Sequence, residues 1–204
     1  ANTNLTGTNA GSTFINGVNA NLDFKGATML MSSGVLNASA AGNEVKYSGG
    51  NQSIKQATYH DLTISGTGTK TFASDVTING SLVRTAASII FSAGQTTTFE
   101  SGSTATLSLA NLGLTFRDLV INKSGGSLTI VPGGAITNNV TNLTLTAGSL
   151  NLGTTNTTLV VSGDLSGSGN LDMSGATHQV TLNGVNNSIG SLTSNSNPTL
   201  GTIT

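Results

Sequence analysis

The chain carries eight carboxylates, Asp23, Glu44, Asp61, Asp75, Glu100, Asp118, Asp164 and Asp172, and two imidazoles, His60 and His178. Carboxylates gathered on one face, with Arg, Lys or calcium beside them, cleave polysaccharides, because the cations stabilise charge developing at the sugar. The spacing here points elsewhere. Asp61, Asp75, Asp118 and Asp164 each stand directly before Leu or Val at the start of an alternating run. A short acceptor side chain in that place binds free backbone N–H groups of the adjoining turn. These four are expected to shape turns and strand starts, and the chain is expected not to be an enzyme.

The remaining chemical candidates give the same answer. A histidine needs an orienting partner to act as a general base, and the internal repeats set His178 opposite Asn43 and His60 opposite Arg117. Exchange with other polar side chains reads as a solvated surface position for both. Gly167-Ser168-Gly169-Asn170-Leu171-Asp172 resembles calcium-binding glycine-rich repeats, yet it departs from their GGxGxD spacing and does not recur in the next turn. No metal and no cofactor are expected. Gly66-Thr67-Gly68-Thr69 lacks the lysine and helix of a phosphate loop and reads as a turn. Asn51 and Asn186 fall in N-x-Ser sequons, but their matched places in the repeat make them turn asparagines that bond neighbouring turns.

Composition says what kind of scaffold holds these residues. Of 204 residues only 7% are charged and 4% aromatic, none is cysteine, and Thr, Ser, Asn and Gly together make up 108. Without cysteine there are no disulfides and no thiolate metal sites. The formal net charge is −1 with seven Lys and Arg, which leaves no basic patch for phosphates, so nucleic acid is not an expected partner. No apolar run approaches the ~20 residues that span a bilayer as a helix. A disordered chain of this polarity would lack Val, Ile and Leu, whereas short runs such as Asp61-Leu62-Thr63-Ile64 and Asn142-Leu143-Thr144-Leu145 recur throughout. Their alternation predicts strands, and no window carries helical periodicity. The chain is all-β.

Repeats decide the architecture. Gly, a small residue and then an apolar residue or Thr recur at Gly11, Gly34, Gly80, Gly102, Gly126, Gly148, Gly169 and Gly190, in steps of 23, 46, 22, 24, 22, 21 and 21. Independently, residues 34–54 laid on 169–189 match at nine of 21 positions without a gap, among them Leu36/Leu171, Val45/Val180, Asn51/Asn186 and Ile54/Ile189. Both signals give a period of about 22 residues. Tyr59-His60-Asp61-Leu62-Thr63-Ile64 also echoes Phe116-Arg117-Asp118-Leu119-Val120-Ile121, an offset of two and a half turns that marks a shared strand-start motif on different faces. Strands of four or five residues at this period predict one parallel β-helix, a β-solenoid of about nine turns over residues 1–204.

The wording of residues 49–83, GGNQSI…YHDLTISGTGTKTF…DVTINGSLV, resembles the repeats of large secreted surface proteins of Bacteroidota and, more loosely, the β-helix passengers of bacterial adhesins and autotransporters. The resemblance implies export, a right-handed β-helix and a surface or adhesive role. The start at Ala1 without Met suits a mature exported chain, and secretion or display at the cell surface is the expected location.

Both ends read as strand without a cap: Leu5 stands near the start, and Leu200 and Ile203 near the finish, with no charge after Asp172. An uncapped, uncharged β end pairs with another copy, and head-to-tail pairing propagates. The expected function is an extracellular structural subunit that assembles end to end, with itself as partner and Leu5, Leu200 and Ile203 at the joint. The alternatives are a piece of a surface adhesin holding a carbohydrate or other cell-surface ligand, and an ice-binding or polysaccharide-acting β-helix. Ice binding is weakened because the Thr-x-Thr pairs begin at different phases of the repeat and form no single rank, and carbohydrate binding is weakened by the scarcity of aromatic platforms.

Overall fold

The computed structural model describes residues 5–27, 30–85, 88–194 and the backbone of 199–203. Among these residues there is no helix, and every strand pairing is parallel. Partners in register lie about 21 residues apart, and about eight turns are formed. The chain is a β-solenoid. It divides into two compact units, Ala1–Gln95 and Thr96–Thr204.

The first unit contains β1 (Thr13–Ile15), β2 (Asn21–Phe24), β3 (Val35–Asn37), β4 (Glu44–Tyr47), β5 (Gln52–Ile54), β6 (Thr58–Tyr59), β7 (Asp61–Ile64), β8 (Thr69–Phe72), β9 (Val76–Ile78), β10 (Leu82–Arg84) and β11 (Ser88–Phe91). One side stacks β2, β4, β7 and β10, a second stacks β5, β8 and β11, and a third carries β1 on β3 and β6 on β9. The turns here are uneven: Leu22 pairs with Val45, Val45 with Leu62 and Leu62 with Leu82. For that reason the glycine lattice slips in this half. Leu36 of the Gly34 repeat lies on the β1–β3 side, whereas Leu82 of the Gly80 repeat lies on the β2–β10 side.

In the second unit, β12 (Thr96–Glu100), β13 (Ala105–Leu109), β14 (Thr115–Pro132), β15 (Ile136–Asn151), β16 (Thr157–Val161), β17 (Leu165–Gly167), β18 (Asn170–Met173), β19 (Gln179–Leu182), β20 (Ser191–Ser194) and β21 (Thr199–Ile203) follow. The long β14 and β15 bend around the corners and contribute to all three sides, so that β15 pairs with β16, β17 and β18 in one circuit. Here the lattice is regular. Leu128, Leu150, Leu171 and Leu192 stand in register, each preceded by Gly and Ser or Asn.

Inside each unit the inward positions are aliphatic and aromatic, with Phe99 and Phe116 buried in the second. Phe24 meets Tyr47 edge-on at 5.8 Å, and Phe72 stacks on Phe91 at 4.7 Å; both pairs are register partners. Each fully buried Leu contributes roughly 1.5–3 kcal/mol by leaving water, and alternation sends the next residue outward. The tight stacking of turns explains particular glycines. A methyl at Gly113 would lie 1.7 Å from the Thr137 carbonyl oxygen, and one at Gly175 would lie 1.9 Å from that of Gly153.

Candidate functional site

The acids that could do chemistry are spent between turns. Asp61 Oδ1 accepts the Ser81 N–H at 2.6 Å, while its Oδ2 lies 3.0 Å from His60 Nδ1. In the second unit the links run as a ladder. Asn142 Nδ2 donates to Asp118 Oδ1 at 2.7 Å, the Asp164 N–H donates to Asn142 Oδ1 at 3.2 Å, and the Asn186 N–H donates to Asp164 Oδ1 at 3.2 Å. Asp172 Oδ2 accepts Asn151 Nδ2 at 2.8 Å, and Glu44 Oε2 accepts Asn21 Nδ2 at 2.6 Å. Asp75 is exposed, directly before β9. Asn51 Oδ1 accepts the Thr69 N–H at 2.8 Å. At the matched place Asn186 supplies its backbone N–H, and the side-chain link is made by Asn187, whose Oδ1 accepts the Leu165 N–H at 3.0 Å. Leu5 is half-buried, with its carbonyl accepting the Met31 N–H at 2.8 Å. The backbones of Leu200 and Ile203 pair with Val180 and Leu182; their side chains lie outside the described residues.

His178 departs from the surface position expected of it. It is buried, and so is Asn43, its partner in the repeat. The two exchange because both hold corners. Asn43 Nδ2 donates to the Asn16 carbonyl at 2.6 Å, and His178 Nε2 lies 3.1 Å from the Gly153 carbonyl. The Thr157 N–H donates to His178 Nδ1 at 3.2 Å, so Nδ1 is the acceptor and Nε2 carries the hydrogen toward Gly153. His60, in contrast, is partly exposed, its side chain at 29%.

Sequence reasoning missed two buried lysines. Lys70 is fully buried, and its ammonium donates to the carbonyls of Gly49 at 3.0 Å, Gly50 at 2.7 Å and Thr67 at 2.9 Å. Burial holds its pKa below the ordinary lysine range. Its register partner Gln52 does the same for the preceding turn, donating to Phe24 and Gly26 carbonyls at 2.9 Å each. Lys123 is also buried and donates to the Glu100 carbonyl at 2.9 Å and Ser101 Oγ at 3.1 Å. The signal was present in the alternation: in Thr69-Lys70-Thr71-Phe72 the lysine shares the inward phase of the phenylalanine.

The two tyrosines form a closed circuit. Tyr59 gives its hydrogen to the Lys55 carbonyl, which leaves Tyr47 to donate to Tyr59 across 3.1 Å while accepting the Lys55 N–H at 3.1 Å. Both are fully buried. Desolvation pushes Tyr47 up to about 12 and raises Tyr59 well above the usual phenol value.

No group of three or more His, Asp or Glu able to hold a metal exists among the described residues, and they include no helix long and apolar enough to cross a membrane. A groove of about 340 Å³ crosses three successive turns of the second unit at the corner where β15, β16 and β19 begin. No family model, curated protein or solved structure matches the chain.

Proposed function

We propose that this chain is a structural β-solenoid of an extracellular surface assembly, not a catalyst, and that copies extend end to end by the turn-on-turn pairing that builds each unit. The observation that supports this reading is the use made of the polar side chains. Asp61, Asp118, Asp164 and Asp172 bind groups of the neighbouring turn, so the acids available for chemistry serve cohesion along the stack. A parallel ladder continues by the same bonds wherever an edge is free. Among the described residues β20 pairs with β18 alone, and its outer edge has no partner. The resemblance of residues 49–83 to secreted surface repeats agrees with the extracellular setting.

Electron microscopy of the purified chain tests the proposal. Unbranched fibres one solenoid wide, lost in Leu200→Lys or Ile203→Lys, are the expected result. A monomer at high concentration, unchanged by either substitution, overturns it.

A further inference from the structure

We propose that the groove at the start of β15, β16 and β19 is a binding site for a neutral oligosaccharide laid along the solenoid axis. Register fixes its geometry. Thr137, Thr158 and Gln179 are successive partners, so their side chains repeat at the ~4.8 Å spacing of stacked strands. Asn156 and Thr177 stand two residues before the members of this rank in their own turns and line the same groove.

The chemistry of the lining sets the ligand class. Asn142 and Asn151 of this unit spend their amides on carboxylates of neighbouring turns. In the groove, the side chains of Thr137, Asn156, Thr158, Thr177 and Gln179 make no hydrogen bond to any described residue. Two carboxamides and three hydroxyls therefore face outward with donors and acceptors in hand. The complement of such a set is a run of vicinal hydroxyls. Ile136, Ala135 and the threonine methyls supply the apolar contact that the C–H face of a sugar ring requires. No charged residue lines the groove, and the last Lys or Arg of the chain is Lys123, so a carboxylated or sulfated glycan would find no counter-charge. The volume falls at the lower end of the ~300–1,000 Å³ typical of ligand sites.

The site is also held in shape before any ligand arrives. Its buried floor residue Thr157 is fixed twice, by its N–H to His178 Nδ1 and by its Oγ1 to the Thr155 carbonyl at 3.0 Å. His178 in turn is anchored to Gly153. Preorganisation of this kind removes part of the ordering cost of binding. With no aromatic platform the affinity rests on hydrogen bonds, and shifts are expected in the millimolar range of sugar.

The side-chain amide signals of Asn156 and Gln179 in a ¹⁵N-labelled sample give the test. Cellohexaose, laminarihexaose and mannohexaose are titrated as neutral probes, with hexagalacturonate as the anionic one. The expected result is a saturable shift of both amides with at least one neutral hexasaccharide, none with hexagalacturonate, and, read at the Asn156 amide, at least a tenfold weaker response in Thr158→Val/Gln179→Leu. Gln179 is exposed and Thr158 half-buried, and Asn156→Asp, read at the Gln179 amide, serves as a second variant in the same groove with the same weakening expected. Absence of a saturable shift with all three neutral probes overturns the proposal, as does a shift that persists undiminished in both variants. The outcome is independent of fibre formation, which the electron microscopy reads separately.

Discussion

Asn43 and His178 occupy matched places in the internal repeat and perform one task in different chemistry: each donates a side-chain N–H to a main-chain carbonyl of the preceding turn, Asn16 for the first and Gly153 for the second. Both are buried, so the corner carbonyl they cap has no water to turn to. Leaving a buried acceptor unsatisfied costs about 1–3 kcal/mol. His178→Asn is therefore expected to lose less than about 1 kcal/mol, whereas His178→Leu, close in volume but without donor or acceptor, loses about 2–3 kcal/mol. Urea unfolding followed by circular dichroism distinguishes them. Equal losses in both variants would show that the ring acts by packing alone.

The same corners explain how much could be read beforehand. Strand type, parallel stacking and the register of Leu128, Leu150 and Leu171 follow from alternation and the glycine period, because each Leu after Gly-Ser or Gly-Asn stands in one column. The buried polar residues were legible in principle. Asn43-x-Val45-x-Tyr47, Gln52-x-Ile54, Lys70-x-Phe72, Asn138-x-Val140 and His178-x-Val180-x-Leu182 all set a polar residue in the inward phase of a strand. For His178 polarity suggested solvent, while phase placed it inside. The groove was not legible, because it depends on which side-chain amides remain uncommitted after the turns are stacked.

Asp61 and Asp164 allow the structural use of acids to be separated from charge. Each accepts a backbone N–H through Oδ1, and a carboxamide oxygen can accept the same bond. Asp61→Asn and Asp164→Asn are expected to stay within about 0.5 kcal/mol of the parent, and the alanine variants to lose about 1 kcal/mol each. Thermal unfolding of the four variants measures this. Large losses in the asparagine variants would mean that the negative charge itself is required.

Lys70 offers the sharpest case of a buried cation. Its three carbonyl partners come from two successive corners, and truncation leaves all three without a donor. Lys70→Met is expected to cost about 3–5 kcal/mol, because each buried carbonyl left without a donor costs about 1–3 kcal/mol. Proteolysis kinetics under native conditions should show cleavage opening at Gly49, Gly50 or Thr67. A stable, protease-resistant variant would show that the carbonyls find other partners.

Alkaline titration reads the tyrosine circuit without labels, because Tyr47 and Tyr59 are the only tyrosines in the chain. In the unfolded chain a phenol loses its proton near ~10, whereas burial raises Tyr47 to about 12 and Tyr59 well above its usual value. The folded state thus holds protons that the unfolded state has released once the pH passes ~10, and stability must fall as pH rises from there. Below ~10 both states are protonated and neither tyrosine contributes a pH dependence. For Tyr47 alone the loss between ~10 and ~12 is on the order of 2–3 kcal/mol. Lys70 acts in the opposite direction: burial lowers its pKa, so its penalty shrinks as pH rises through the folded value toward ~10, and any net loss above ~10 belongs to the phenols. Phenolate absorbance should stay flat past ~10 and then rise together with the loss of circular dichroism, since ionisation of the buried pair needs the corner at Lys55 to open. Tyr47→Phe/Tyr59→Phe should remove the alkaline loss while lowering stability at neutral pH by about 1–2 kcal/mol through the unpaired Lys55 N–H and carbonyl. Phenolate appearing near ~10 in a chain that remains folded would show that the two hydroxyls are reached by water, and the circuit would then carry none of the stability assigned to it.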